Sequence, residues 1–153
     1  MKGRFRGLHA RAFVHSTEDL DKVKIAMQNV VGHLELATLV TDGVHGNPLT
    51  VLEANVSDPE EIRRFFTRLD REDLKAILET LDSRVDEGCN LFVKIDKQSA
   101  FLGQVRLDRG DDVISVRIRV AAFPANREVA GKAVSEIVEQ ELAERDKKVA
   151  AGP

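Results

Sequence analysis

The sequence predicts a single α+β domain, with a largely antiparallel sheet and helices packed on one face. Two stretches, Leu8–Val14 and Ile114–Val120, alternate apolar and polar residues, the period of a strand with one buried face. Others repeat apolar residues at helical spacing: Leu20, Val23, Met27 and Val30; Ile62, Phe65, Phe66 and Leu69; Val129, Ala133, Val134, Ile137, Val138 and Leu142. No internal repeat, Pro/Gly-rich linker or biased tract divides the 153 residues, so 1–153 reads as one domain. Residues 1–7 and 146–153 are expected to be flexible ends.

Along the chain, Leu8, Ala10, Ala12 and Val14 face one side of the first strand, and His9, Arg11 and Phe13 the other. Ser16-Thr17-Glu18-Asp19 reads as a capping box opening a helix that stops at Gly32. Strands follow at Leu34–Val40 and Leu49–Val56, the latter more continuously apolar and expected to be central. Asp58-Pro59-Glu60-Glu61 is a helix start: an aspartate cap, proline at the first position and acids facing the helix dipole. A second helix is expected after Asp70, with Leu74, Ile77, Leu78 and Leu81 inward. Glu87-Gly88-Cys89-Asn90 turns the chain into a strand at Leu91–Ile95. Lys97–Phe101 fits one helical turn, before a short strand near Leu102–Leu107 and a hairpin turn at Asp108–Asp111. The last helix runs over Arg127–Arg145.

Composition bounds the function. Hydrophobic residues make up 42%, which excludes a disordered chain. A chain of this length should bury about 70% of its unfolded surface without needing a disulfide or metal. No apolar run is long enough to span a membrane, and no signal-peptide pattern opens the chain, so neither membrane nor secretion is expected. The one cysteine, Cys89, allows no intrachain disulfide and fits a reducing cytoplasm.

The formal charge of −3 argues mildly against nucleic acid until it is divided. Residues 1–15 carry four bases and no acid, and 91–125 carry six bases against four acids. Residues 16–57 and 58–90 are each at −4, and 126–153 at −1. The helices hold the acid, and the first and last strands hold the base. If those strands share the sheet, Arg11, Lys94, Arg117 and Arg119 project from the face away from the core. His9, His15, Phe13 and Phe92 follow the same parity. Basic sheet faces with a few rings bind RNA by phosphate contact and stacking. The same pattern also fits a solvated sheet face, or one covered by a partner or a second copy of the chain. The loop Thr41–Pro48 offers His45 and Asn47 as hydrogen-bonding groups beside Gly46, and serves equally as a wide turn.

Catalysis finds no support in the sequence. No nucleophile has a partner motif, Cys89 lies in an acidic turn, and the four histidines lack metal-ligand spacing. Neither a phosphate-cradling glycine loop nor a dinucleotide fingerprint is present. No enzyme, metal or cofactor is therefore expected.

Several segments in order resemble the archaeal RNA-binding-domain family of predicted exosome subunits. They are Arg11-Ala12-Phe13-Val14-His15-Ser16-Thr17-Glu18-Asp19, His45-Gly46-Asn47-Pro48 with Val51-Leu52-Glu53-Ala54, and Arg63-Arg64-Phe65-Phe66. Leu81–Asp86, Asp96-Lys97-Gln98 with Ala100–Gly103, Asp111–Val120 and Phe123-Pro124 complete the series. The resemblance covers about residues 8–142; Gln104 stands where glutamate is frequent. It implies a fold similar to the large-subunit ribosomal protein that contacts the small RNA of the central protuberance. It also implies a non-catalytic RNA-binding role, with structured or ribosomal-type RNA and exosome subunits as partners. His45, Asn47, Lys97, Gln98, Arg117 and Arg119, with Arg11 beside them, are the RNA contacts expected where the resemblance and the residue chemistry coincide. The alternative is a protein-interaction or dimerisation scaffold that does not touch RNA.

Overall fold

The computed structural model describes residues 4–32, 36–42, 48–108 and 110–151. Among these, five strands form one antiparallel sheet: β1 (Phe5–Val14), β2 (Ala37–Asp42), β3 (Pro48–Val56), β4 (Asn90–Asp96) and β5 (Val113–Val120). Their spatial order is β2-β3-β1-β5-β4. The helices are α1 (Leu20–Val31), α2 (Pro59–Arg68), α3 (Arg71–Glu79), α4 (Leu81–Arg84), α5 (Lys97–Phe101) and α6 (Arg127–Ala151). α1 and α2 lie against β1, and α6 against β5. The side they cover is the one the alternation assigns to the core: Leu8, Ala10, Ala12 and Val14 on β1, with Ile114, Val116, Ile118 and Val120 on β5, are all buried. The α+β architecture expected from the sequence is the observed one.

The helix faces also follow the apolar period. α2 buries Ile62, Phe65 and Phe66, and each ring removed from water contributes about 1.5–3 kcal/mol. Arg145 on α6 donates to the carbonyls of Phe66 and Thr67, satisfying the C-terminal end of α2. Asn29 donates to the carbonyl of Ala100, tying α1 to α5.

Several local expectations are corrected. The cap of α1 is Asp19, whose carboxylate accepts from the Asp21 amide, and not Ser16. Glu18 instead reaches back to the amide of His15. β3 lies between β2 and β1, an inner strand as expected, and β1 is the middle one of the five. Residues 102–107 form no strand; they reach the sheet only through a bridge between Leu107 and Ile95. That bridge, with one between Val85 and Leu91, covers the outer edge of β4, a protected edge in place of a sixth strand. At the two ends, β1 begins at Phe5 and α6 continues to Ala151.

β1 contains one irregularity that sequence parity does not show. Phe5 pairs with Val120 and Gly7 with Arg119, so Arg6 is an extra residue in the strand. The shift turns Phe5 inward, where its ring stacks on Phe66 with centroids 5.4 Å apart. It also leaves Arg6 exposed.

Candidate nucleic-acid interface

The second face of the sheet carries no helix, and strand register arranges its side chains in rows. Lys94, Ser115, Arg11 and Glu53 form one row across β4, β5, β1 and β3. Phe92, Arg117, His9 and Asn55 form the next, and Asn90, Arg119 and Gly7 the one after. Side chains directly opposite one another on neighbouring antiparallel strands have Cβ atoms about 5 Å apart. The sheet therefore brings Arg11, Lys94, Arg117 and Arg119 onto one surface, as the parity argument expects, and adds Arg6.

The cations of this face are little neutralised. Arg6, Lys94, Arg117 and Arg119 form no ion pair with any described residue, and Arg11 lies over the ring of Phe13 at 5.4 Å. The acids bordering the face are Glu53, 3.8 Å from His9, and Asp86, which accepts from the Asn90 backbone amide at 2.9 Å. Around the bare Gly7 the surface dips into a concavity of about 590 Å³, lined by Arg6, His9, Asn55, Asn90, Arg117 and Arg119 among others.

Lys97 is different, and its expected role as an RNA contact is corrected by its burial. Only 3% of the residue is exposed. Its ammonium donates to the Phe13 carbonyl at 2.7 Å and to Glu18 at 3.0 Å, and lies 2.7 Å from Asp112. The hydrogen bond from Lys97 holds the Asp112 carboxyl below its ordinary value, against a smaller opposing effect of desolvation. His15, Glu18 and Asp112 place their ligand atoms within 4.8 Å of one another, a grouping able to hold a metal ion. The charge of that corner is already met by the Lys97 ammonium, bonded to both carboxylates. Gln98 is exposed next to it, with its amide 3.5 Å from Asp112. His45 and Asn47 lie outside the described residues.

Arg6 is the member of the surface that sequence reasoning missed. Counting back from Leu8 by twos points Arg6 toward the core, and the bulge reverses it. The available signals were the glycine at position 7 and the improbability of burying an unpaired arginine.

Residues 8–120 match a family described as RNA binding. The chain belongs to that family. Among its relatives, RNA-binding protein PAB1135 of Pyrococcus abyssi is 37% identical over 144 residues, spanning 88% of this chain and 94% of the relative. Uncharacterized protein MJ0213 of Methanocaldococcus jannaschii is 32% identical over 144 residues, spanning 86% and 93%. Among solved structures, protein AF2318 from Archaeglobus fulgidus is similar at a TM-score of 0.77 and 35% identity, covering 87% of this chain and 99% of that one. Mth689, a DUF54 protein from Methanothermobacter thermautotrophicus, is similar at 0.76 and 32%, covering 88% and 98%. The family match runs from Leu8 in β1 to the end of β5, and so takes in the open face apart from Arg6 and Gly7.

Proposed function

We propose that this chain is a non-catalytic RNA-binding protein that takes RNA on the open face of its sheet, as an accessory of the archaeal exosome and RNA-processing machinery. The observation that carries the RNA reading is the set of exposed arginines without acidic partners on the one sheet face left free of helices. Membership of a family described as RNA binding, and a relative named an RNA-binding protein, support it. The exosome role rests on the sequence resemblance alone, and co-purification with exosome subunits after nuclease treatment tests it.

Phosphate contacts release counterions, so binding must weaken with salt. Binding to structured RNA measured at 50 and 200 mM salt should therefore fall steeply. The double variant Arg117→Ala/Arg119→Ala should bind about 10- to 100-fold more weakly and lower the salt slope by about 2, one for each phosphate that no longer meets a guanidinium. Salt-independent binding, or unchanged affinity in the double variant, would remove this face from the function.

A second reading has its own observation. At the far end of the same face Leu39 and Phe13 are exposed on β2 and β1, an apolar surface suited to a protein partner or a second copy. Sedimentation at varied concentration separates the two: a concentration-dependent dimer weakened by Leu39→Lys favours this reading.

A further inference from the structure

We infer that the concavity at the Gly7 end of the open face takes an unpaired nucleotide of a structured RNA, such as a bulge, with its base on the Phe92 ring and its phosphates on Arg6, Arg117 and Arg119. This rests on the RNA reading above and specifies which part of the RNA is held.

Four observations meet at this place. Phe92 is 45% exposed, and its ring has no stacking or cationic partner among the described residues, whereas Phe13 on the same face lies under Arg11. Phe92 sits opposite Arg117 in register and two residues from Asn90, and both of those residues line the concavity. Gly7 is not bare for packing reasons: a Cβ there would meet only the Val56 carbonyl oxygen, at 3.9 Å. What its bareness leaves is space, and about 590 Å³ is within the range of small-ligand sites. The polar groups lining that space include the Asn55 amide and the His9 ring, which carry donors and acceptors suited to a base edge; Asn90 lines it too, its side-chain nitrogen donating to Asp86 at 3.4 Å.

The chemistry selects unpaired RNA over continuous duplex. In a duplex both faces of each base are stacked on neighbours, so an exposed ring on a sheet has nothing to stack against. Phosphates would then be the only reachable groups, and Phe92 and the Asn55 amide would be idle. A nucleotide splayed out of a loop or bulge offers a free π-face, a free base edge and its flanking phosphates at once.

The test compares three RNAs at one salt concentration: a fully paired hairpin, the same hairpin with a three-nucleotide bulge, and the bulged hairpin with its bulge bases replaced by abasic sites. The wild-type chain should bind the bulged hairpin about tenfold more tightly than either other RNA, the scale of one base stacked on a ring. Phe92→Ala should reduce the bulged RNA to the level of the paired one and leave the paired one unchanged. Gly7→Glu, which fills the concavity and sets a carboxylate among the arginines, should abolish the preference while thermal melting confirms the fold. Equal, salt-dependent affinity for all three RNAs, or a loss in Phe92→Ala that is the same for all three, overturns this inference and leaves the RNA reading standing. Absence of binding to any of them overturns both.

Discussion

Two cationic corners of the same sheet behave in opposite ways. At one, Lys97 is enclosed, and Phe13, Glu18 and Asp112 take up its ammonium. At the other, Arg6, Arg117 and Arg119 surround a concavity and meet no acid among the described residues. A count of basic residues treats each of these cations alike. The difference lies in partners: a charge whose hydrogen bonds are complete inside the chain holds the fold together, and one left exposed without an acid remains available to a ligand.

The largest expected effect tests the Lys97 corner. Lys97→Ala leaves two carboxylates and a carbonyl without their donor and should cost about 2–4 kcal/mol of stability, somewhat below a fully buried pair because Asp112 is half exposed. It should leave the salt slope of RNA binding unchanged, read on protein that chemical denaturation shows to be folded. A stable Lys97→Ala variant with weakened RNA binding would break the comparison.

Next come the Gly7-corner variants. Arg117→Ala/Arg119→Ala should change stability by less than about 0.5 kcal/mol per site while weakening RNA binding. Arg6→Ala should lower affinity by about three- to tenfold, because one phosphate goes unmet and the guanidinium over Phe123 is removed, and reduce the salt slope by about 1. An effect of Arg6→Ala on stability with none on RNA would assign Arg6 to the Phe123 ring alone.

The smallest effect is acid sensitivity. The carboxyl of Asp112 titrates lower in the folded chain than its ordinary 3.8. Its contribution is therefore complete above the unfolded value and is lost as pH falls through the lowered folded one. Because the side chain is 49% exposed, that contribution should stay below about 1 kcal/mol. Urea midpoints followed from pH 6 to pH 2 should fall more in the wild type than in Asp112→Asn; identical curves would show that Lys97 is held without Asp112.

Much of this architecture is legible in the residues. The alternation in 8–14 and 114–120 identifies the core side of β1 and β5, and the same parity places Arg11, Arg117 and Arg119 outside. Asp58-Pro59 marks the start of α2, because its cap is made by groups adjacent in sequence. Lys97 misleads because its partners stand 84 and 79 residues away, at Phe13 and Glu18, and no local pattern announces them. Arg6 escapes notice because a bulge changes parity by one residue without changing composition. The helix cap falls at Asp19 and not Ser16 because each of two neighbouring side chains can serve, and Glu18 is drawn to His15 and Lys97.

By itself, the sequence determined what depends on neighbours along the chain: the type and order of most elements, their buried faces, and the separation of acidic helices from basic strands. Only the tertiary structure decided which cations are satisfied and which are free, since that depends on groups the chain brings together from distant segments. The order β2-β3-β1-β5-β4 sets Arg6, Arg117 and Arg119 around a glycine, and the packing of α5 against α1 brings the Lys97 ammonium to the Phe13 carbonyl at the end of β1. Burial makes that enclosed ammonium demand partners, and exposure leaves the three guanidiniums free to accept them from outside.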